Sequence, residues 1–421
     1  MLDLRFIREH PDLVKRGVQT KGESDNVDEL LHLDEERRKL IQRSESLKAK
    51  RNAVTEQIAR MKKSGRDAGK SIAEMNVVKE EIKSLDNELS VVEQAVDRIL
   101  LTVPNPPHPS VPVGSNPADN QEVFRWGEQA EVDFPLKAHW ELGEKLGIID
   151  FPRGGRVTGA GFPFLVGKGA RLERALINFF LDRAAERGYR EIMPPILVNE
   201  ESASGTGQLP DKEDLMYVIE RDNLYLIPTA EISVTNFHRD EILQEKDLPL
   251  QYAAYTPCFR REAGSYGKDV RGLNRVHQFD KVELVKFVHP SSSYEELEKL
   301  RQDAERLLQL LGVMYRVILM CTGDLGFTQS KKYDLEVFAP GQQKWLEVSS
   351  CSNFEAFQAR RINVRFKPRD GGKPEYVHTL NGSALALPRV VAALIEQYQT
   401  PEGKVIIPKV LHRYSGFELI G

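Results

Sequence analysis

Residues 257–283 carry the side chains best suited to chemistry on a charged substrate. Arg260 and Glu262 leave one apolar segment, a basic Gly-containing loop follows, and Phe279 and Glu283 lie in a second apolar segment. Such a hairpin can place a guanidinium on a phosphate and a carboxylate on an amino group. A surface hairpin with solvated charges is the alternative, and it is the better interpretation of an isolated Arg-Arg-Glu sequence.

Other common catalytic patterns are missing. Neither GxxxxGK[ST] nor GxGxxG occurs at a strand-to-helix turn, so any use of ATP must proceed without a P-loop or a Rossmann turn. Cys258, Cys321 and Cys351 are far apart and form no metal-ligand spacing, so we expect no zinc site and interpret Cys258 and Cys351 as packed thiols. His277 has no apparent catalytic partner, and we assign it no catalytic role.

The elements that must position these residues are of mixed type. Leu172 and Leu176 recur at helical spacing, which predicts a helix over residues 170–187 that Gly188 ends. Residues 189–198 are predicted to form a strand, and the Pro-Pro pair at Pro194 restricts it to an edge or an interface. Further strands are predicted at 224–227, 276–288, 315–320, 333–338 and 344–348, and further helices at 295–311 and 388–399. This order favours an α+β fold with an antiparallel sheet.

The first hundred residues differ in character. Residues 27–101 contain no proline, and their apolar side chains recur with a heptad period. A Gly-containing break at residues 62–70 divides the pattern, which predicts an antiparallel helical hairpin with a coiled-coil seam. The seam positions are Leu33, Leu40, Leu47, Val54 and Met61 before the break, and Met75, Val78, Ile82, Leu85, Leu89, Val92, Val96 and Ile99 after it.

Charge is distributed unevenly along this hairpin. Residues 37–70 hold twelve Lys or Arg against three acidic side chains, a net charge of +9, whereas residues 72–101 carry a net charge of −4. A phosphate backbone would be attracted to the first helix and the turn. Coiled coils carry charge on their outer faces anyway, so the alternative of a simple solvated surface stays open. The candidate contacts to a phosphate backbone on the arm are Lys48, Lys50, Arg51, Lys62 and Lys63.

Composition suggests where the chain divides. Five prolines fall within residues 103–114, which indicates a stiff linker. We predict an N-terminal helical arm domain at residues 1–102, a linker at 103–115 and a catalytic domain at 116–421. The formal net charge of −4 gives no overall basic field. No segment resembles a signal peptide or a membrane span, so we expect a cytoplasmic protein without membrane contact.

Four collinear segments resemble class II aminoacyl-tRNA synthetases, in the form found in the seryl-tRNA synthetases of bacterial type. The hairpin at residues 257–283 resembles motif 2, and residues 190–195 resemble motif 1, the dimer-forming element. Residues 378–389 resemble motif 3, although Ala384 and Pro388 stand where the family often has glycine. The resemblance, which includes the helical arm, spans about residues 1–415 and implies a class II antiparallel catalytic domain. The fourth segment, Thr229, Ala230 and Glu231, resembles the serine-binding loop.

For ATP and its metal the resemblance implies specific roles. Arg260 would bind the α-phosphate and Glu262 the adenine amino group, while Phe279 would stack on adenine with Arg389 on the opposite face near the γ-phosphate. Arg260 and Arg389 are the catalytic candidates. Glu347 and Ser350 would hold Mg²⁺. The complete implied ATP set is Arg260, Arg261, Glu262, Val276, Phe279, Glu347, Val348, Ser349, Ser350 and Arg389.

For the amino acid and tRNA, the resemblance implies that Thr229 and Glu231 meet the serine amino group and that Arg260 also holds the carboxylate. Glu283 and Ser383 would bind the serine hydroxyl, and the loop at 263–275 would contact the tRNA acceptor end. The implied activity is a two-step serine–tRNA ligase reaction in a homodimer that acts on tRNA(Ser) and plausibly on tRNA(Sec).

Two other functions stay open. A ligase that loads an amino acid onto a carrier protein would lack the hairpin arm. A catalytically inactive RNA-binding paralogue would not need Arg260, Glu262, Glu347 and Arg389.

Overall fold

The structure is a computed structural model that describes residues 1–129, 131–210, 213–262 and 271–421. The chain divides into two compact units, Met1–Pro106 and Pro107–Gly421. No helix in the described ranges combines the length and the apolar character that crossing a bilayer requires.

The first unit is helical. Its two longest helices pack against each other as an antiparallel pair, and the predicted seam side chains are buried or half-buried between them. Ion pairs also join the two helices: Arg43 to Glu81 at 2.6 Å and Arg37 to Glu93 at 3.1 Å. The predicted hairpin is therefore confirmed. The helices are α1 (Leu4–Glu9), α2 (Pro11–Thr20), α3 (Val27–Lys63) and α4 (Gly69–Leu100).

The second unit combines helices and strands. Its helices are α5 (His139–Lys145), α6 (Phe151–Val157), α7 (Lys168–Glu186), α8 (Glu200–Thr206), α9 (Glu231–Thr235), α10 (Ser293–Leu311), α11 (Phe357–Arg361), α12 (Leu387–Gln397) and α13 (His412–Ser415). Its strands are β1 (Gln121–Trp126), β2 (Ile149–Asp150), β3 (Phe164–Leu165), β4 (Arg190–Glu191), β5 (Leu197–Asn199), β6 (Tyr217–Ile219), β7 (Leu224–Leu226), β8 (Ile242–Gln244), β9 (Leu250–Phe259), β10 (Gln278–Val288), β11 (Tyr315–Leu319), β12 (Lys331–Ala339), β13 (Lys344–Asn353), β14 (Arg365–Lys367), β15 (Glu375–Tyr376), β16 (His378–Ala386), β17 (Val405–Ile406) and β18 (Leu419–Ile420).

An eight-stranded sheet forms the centre of this unit, in the order β1-β11-β12-β13-β16-β10-β9-β4. Every neighbouring pair is antiparallel except β4 and β9, which run parallel at the edge. The predicted α+β class with an antiparallel sheet is confirmed.

The main core lies between the sheet and the helices α7, α10 and α12. Strand β10 shows why the other side of the sheet can hold a polar site. Val282 and Leu284 are buried in this core, whereas Phe279, Lys281 and Glu283 line a cavity. Because successive side chains of a strand point to opposite faces, one strand serves both packing and ligand contact.

One predicted element is corrected. Residues 189–198 form two short strands, β4 and β5, in different sheets, because Pro194 and Pro195 lie between them and cannot donate to a strand ladder. The edge position expected for this segment is found for β4. Residues 381–383 lie inside strand β16, although Asn, Gly and Ser favour turns when they are read locally.

Candidate active site

A cavity of about 450 Å³ opens on the polar side of the eight-stranded sheet, within the range of small-ligand sites. Strands β10, β13 and β16, the end of β9 and the start of α12 supply most of its wall. The sequence-predicted residues in this wall are Thr229, Glu231, Arg260, Glu262, Val276, Phe279, Glu283, Glu347, Val348, Ser349, Ser350, Ser383 and Arg389.

Two guanidinium groups from distant parts of the chain reach this cavity. The Arg260 guanidinium lies over the ring of Phe279, 5.1 Å from its centroid. Arg389, in the first turn of α12, donates through Nη1 to the carbonyl of Glu347 at 2.7 Å and through Nε to the carbonyl of Asn274 at 3.0 Å. These two backbone contacts orient Arg389 before any ligand binds. Paired guanidiniums of this kind suit a polyphosphate.

Glu347 is the carboxylate nearest Arg389, with Oε2 3.9 Å from Nη1 and 48% of the side chain exposed. Partial desolvation within the cavity opposes ionisation, but the cations of Arg389, Lys332 and Arg260 outweigh it and hold the pKa of Glu347 below its ordinary value. An ionised carboxylate supplies hard oxygen ligands, which Mg²⁺ prefers, and Ser350 lines the same cavity. Among the described residues, no group of three or more His, Cys, Asp or Glu is arranged to hold a metal ion.

The other end of the cavity holds buried charges. Glu283 is 1% exposed, and its Oε2 lies 2.6 Å from Lys281 Nζ and accepts from the Thr229 hydroxyl at 3.2 Å. Ser383 Oγ is 3.5 Å from the same oxygen. Glu283 and Ser383 are register partners on β10 and β16, so sheet pairing brings them together. A buried carboxylate with several polar partners can bind a small hydroxyl or amine.

Glu231 occupies the adjoining wall, at the start of α9. Its two carboxylate oxygens accept from Gln358 Nε2 and Asn381 Nδ2, each at 2.7 Å. Asn381 Nδ2 also reaches Glu283 Oε1 at 3.3 Å, and so links the two carboxylates. The Asn381 Oδ1 atom is buried and has no hydrogen-bond partner among the described residues. That oxygen is therefore available to a donor on a ligand.

The third part of the site surrounds Glu262, at the end of the described segment that follows β9. Glu262 has a φ of 49°, a left-handed conformation that non-glycine residues adopt infrequently. Its Oε2 accepts from Arg275 Nη1 at 2.9 Å. His277, to which no catalytic role was assigned, stacks on Phe162. Its Nδ1 forms a hydrogen bond with Tyr217 Oη at 2.9 Å. The His277 carbonyl accepts from the Arg260 backbone N–H at 2.8 Å, so His277 supports the position of Arg260.

Several predicted site residues lie outside the cavity wall. Ala230 is fully buried in a separate apolar cluster. Arg261 is exposed, and its backbone N–H donates to the Leu215 carbonyl. Ser349, by contrast, belongs to the cavity wall, but its hydroxyl donates to the Ser383 carbonyl at 2.6 Å. Residues 263–270 of the predicted acceptor-end loop lie outside the described residues.

The candidate arm residues lie along the second half of α3, and Lys62 and Lys63 are at its end. Lys50, Lys62 and Lys63 are exposed on α3. Lys48 instead forms an ion pair with Asp86 of α4 at 2.9 Å, and Arg51 donates to Asn52 Oδ1. Part of the basic charge of α3 is therefore balanced by acidic side chains of α4.

Sequence reasoning missed Lys281 and Asn381, which line the cavity and contact its carboxylates. A signal was present for Lys281, which is two residues from Glu283 in the predicted strand 276–288, and residues i and i+2 of a strand share a face. The same relation joins Asn381 to Ser383, but it became visible only with strand β16, which was not predicted.

Comparison with known proteins decides the family. The model of the tRNA synthetase class II core domain (G, H, P, S and T) matches residues 217–398, and that of the seryl-tRNA synthetase N-terminal domain matches residues 1–107. The chain is 54% identical to the serine–tRNA ligase of Carboxydothermus hydrogenoformans over 100% of this chain and 99% of that protein. The chain belongs to the seryl-tRNA synthetase family. The expected enzyme class, an ATP-dependent aminoacyl-tRNA ligase, is thereby confirmed.

Other seryl-tRNA synthetases agree over the same length. The serine–tRNA ligase of Geobacter sulfurreducens is 55% identical and is covered to 99%, as is this chain. The crystal structure of seryl-tRNA synthetase from Pyrococcus horikoshii complexed with ATP is 41% identical, with a TM-score of 0.95 over 100% of this chain and 99% of that one. Because the match covers the whole chain, the likeness includes the arm as well as the catalytic unit.

Proposed function

We propose that this chain activates serine with ATP and transfers the seryl group to the 3′ end of tRNA(Ser). One observation carries the proposal. Two guanidiniums suited to a triphosphate and a buried carboxylate cluster suited to a small polar amino acid line a single cavity. The adenylate formed from both substrates would lie across this cavity, between the guanidiniums and the carboxylates. The three functional segments of the chain are residues 1–102 as a tRNA-binding arm, 103–115 as a linker and 116–421 as the catalytic domain.

For ATP we propose that Arg260 contacts the α-phosphate and Arg389 the γ-phosphate. Phe279 stacks on adenine, Glu262 accepts from its amino group, and Val276 borders the base. Arg261, Val348 and Ser349 then contribute through backbone groups, since the Arg261 side chain is exposed and the Ser349 hydroxyl is bonded to Ser383.

For serine we propose that Glu231 and Thr229 bind the ammonium group, with Ala230 shaping the loop between them. Asn381 Oδ1, which has no partner among the described residues, accepts a further hydrogen bond from the substrate. Glu283 and Ser383 bind the hydroxyl. Alanine would leave these buried groups unpaired, and polar sites reject an analogue that lacks the matching group far more strongly than apolar sites reject a methylene.

The same site suits a magnesium ion that enters with ATP. Glu347 is held ionised by its cationic neighbours, and Ser350 adds a second oxygen in the same cavity. Mg²⁺ usually takes one or two protein carboxylates and completes its shell with water and substrate phosphates. When bound, the ion would neutralise charge on the phosphates.

The chemistry requires no covalent enzyme intermediate. A serine carboxylate oxygen attacks the α-phosphorus in line, the bond from the α-phosphorus to the bridging oxygen breaks, and pyrophosphate leaves with that electron pair. The terminal ribose 3′-OH of tRNA then attacks the seryl carbonyl and AMP departs. Arg260 and Arg389 stabilise charge at phosphorus, and the rest of the cavity aligns the reactants.

The experiment is ATP–pyrophosphate exchange with serine and with other amino acids. We expect exchange with serine, and Glu283→Ala should lower kcat/KM for serine by the equivalent of about 2–4 kcal/mol. Glu375→Ala, which removes an exposed carboxylate of β15, is the matched control and should leave exchange unchanged. Exchange that depends on an amino acid other than serine, or an unaltered kcat/KM in Glu283→Ala, would contradict the proposal.

We further propose a homodimer that forms through the segment between β4 and β5. Met193 in this segment is 91% exposed and borders an open groove whose wall also contains Ile177, Leu181 and Ile192, and contiguous apolar surface of this kind often marks an interface. Met193→Glu should lower the sedimentation coefficient of the native protein. An unchanged coefficient would place the interface elsewhere.

We also propose that the chain charges tRNA(Sec) with serine, which is tested by aminoacylation of that tRNA.

A further inference from the structure

Lys281 is a buried charged residue of the cavity to which no role has been given so far. Its side chain is 6% exposed. Nζ lies 2.6 Å from Glu283 Oε2 and donates to the Thr229 hydroxyl at 2.8 Å. It therefore touches the two side chains that frame the proposed serine site. A buried lysine costs free energy unless its partners compensate it, so its position calls for a functional reason.

The charges explain what the lysine does. Without Lys281, Glu283 would present a buried anion, and a buried anion attracts a cation more strongly than a neutral hydroxyl. With Nζ at 2.6 Å, the pair is close to neutral as seen by a ligand, while Glu283 Oε1 and Ser383 Oγ can still form hydrogen bonds. A neutral hydroxyl suits such a pair, and a second ammonium group would meet the like charge of Lys281.

We propose that Lys281 determines specificity by neutralising Glu283, so that the site accepts a neutral hydroxyl and rejects side chains that carry positive charge. This inference rests on the proposed serine site. It assigns to the pair a choice between charge types, whereas shape and hydrogen bonding choose among neutral side chains. Selectivity by an unfavourable contact is a general way to discriminate between similar ligands.

The probe is L-2,3-diaminopropionate, which is serine with its hydroxyl replaced by an amine. L-alanine is the neutral control probe. Each is measured as a competitive inhibitor of serine-dependent pyrophosphate exchange, at mildly acidic pH where a larger fraction of the probe carries both positive charges. The measured quantity is the inhibition constant of alanine divided by that of diaminopropionate. A merely structural defect would weaken both probes together and leave this ratio unchanged.

We expect Lys281→Met to raise this ratio by at least about tenfold, which corresponds to about 1.4 kcal/mol. Lys281→Arg keeps the charge and should keep the ratio within about twofold of the original protein. The double variant Lys281→Met/Glu283→Gln removes both charges and should return the ratio toward the original value. These three outcomes depend on charge and not on side-chain volume.

Glu283→Gln provides the remaining comparison, and it also covers the case in which Lys281→Met does not fold. It leaves Lys281 uncompensated, so the ratio should fall below the original value and rise again in the double variant. Equal ratios in Glu283→Gln and the double variant, or an unchanged ratio in folded Lys281→Met, would overturn the role of Lys281. A serine KM unaffected by Glu283→Gln would instead overturn the serine site itself.

Discussion

Replacement of Arg389 by glutamine tests whether its guanidinium acts on the triphosphate. In the structure Arg389 spans two backbone carbonyls, those of Glu347 and Asn274, at 2.7 and 3.0 Å. Glutamine keeps some hydrogen-bonding capacity but is too short to reach both and carries no charge. Arg389→Lys keeps the charge and loses the planar fork.

The expected size of the effect follows from these contacts. Removing one preorganised donor to a developing charge costs about 2.7–4 kcal/mol, or about 10²–10³ in kcat. The side chain is 26% exposed, so water can replace the two carbonyl contacts, and the loss of folding stability should stay within about 1–3 kcal/mol. Arg389→Lys should lower kcat by only about tenfold, because the positive charge remains while its orientation is weakened.

The assay is serine-dependent pyrophosphate exchange at saturating serine, with thermal unfolding measured in parallel. Arg413→Gln is the control. Arg413 lies on α13, outside the cavity wall, and pairs with Asp182 at 3.4 Å, so its replacement should leave kcat unchanged. If Arg389→Gln kept the original kcat, or if its whole defect disappeared on correction for the unfolded fraction, Arg389 would be a structural residue and the assignment would be refuted.

Three further predictions concern other parts of the chain. Glu347→Gln should raise the Mg²⁺ concentration that gives half-maximal exchange by about tenfold or more, since a metal site loses its charged ligand; an unchanged Mg²⁺ dependence would remove Glu347 from the metal site. Burial lowers the pKa of His378 to about 4, so the native state holds the neutral ring and loses up to about 3 kcal/mol of stability as pH falls from 6.5 towards 4. His378→Gln should flatten that loss in urea titrations at several pH values, and an equally steep loss would assign it to other groups. Joint neutralisation of the arm cations should raise the KM for tRNA and lower its salt dependence while exchange stays intact, and a loss of exchange would contradict the separation of arm and catalytic domain; the residues are Lys48, Lys50, Arg51, Lys62 and Lys63.

The arm was predictable because its determinants are local. A heptad period without proline specifies long helices, and the break before Gly69 specifies their reversal. The antiparallel sheet was predictable as a class from the succession of strands. Strand β16 was not, since Asn381, Gly382 and Ser383 have turn propensity when read locally. A Cβ at Gly382 would lie 3.0 Å from Cys351 Sγ and 3.1 Å from Leu300 Cγ, so tertiary packing, which no local pattern contains, explains the glycine there.

The candidate site shows the same division. Residues singled out by type, such as Arg260, Glu283 and Arg389, line one cavity although they are far apart in sequence. Which atoms they contact could not be read from spacing. Arg389 is oriented by a hydrogen bond to the backbone carbonyl of Glu347. Nothing in the sequence around Glu347 indicates this contact. Every residue carries a backbone carbonyl, so the sequence cannot show which carbonyls accept from a site residue. Only the structure identifies them.

The buried pair on β10 links the folding of the domain to the choice of substrate. Ion pairs as buried as Lys281 and Glu283 often contribute less stability than apolar side chains of similar volume. Stability therefore gives no reason for them, because Val282 and Leu284 on the other face of β10 already supply the packing. Apolar replacement of both would keep the sheet and abolish the polar matching that penalises alanine. The two-residue alternation of one strand thus keeps the demands of folding and of recognition on opposite faces.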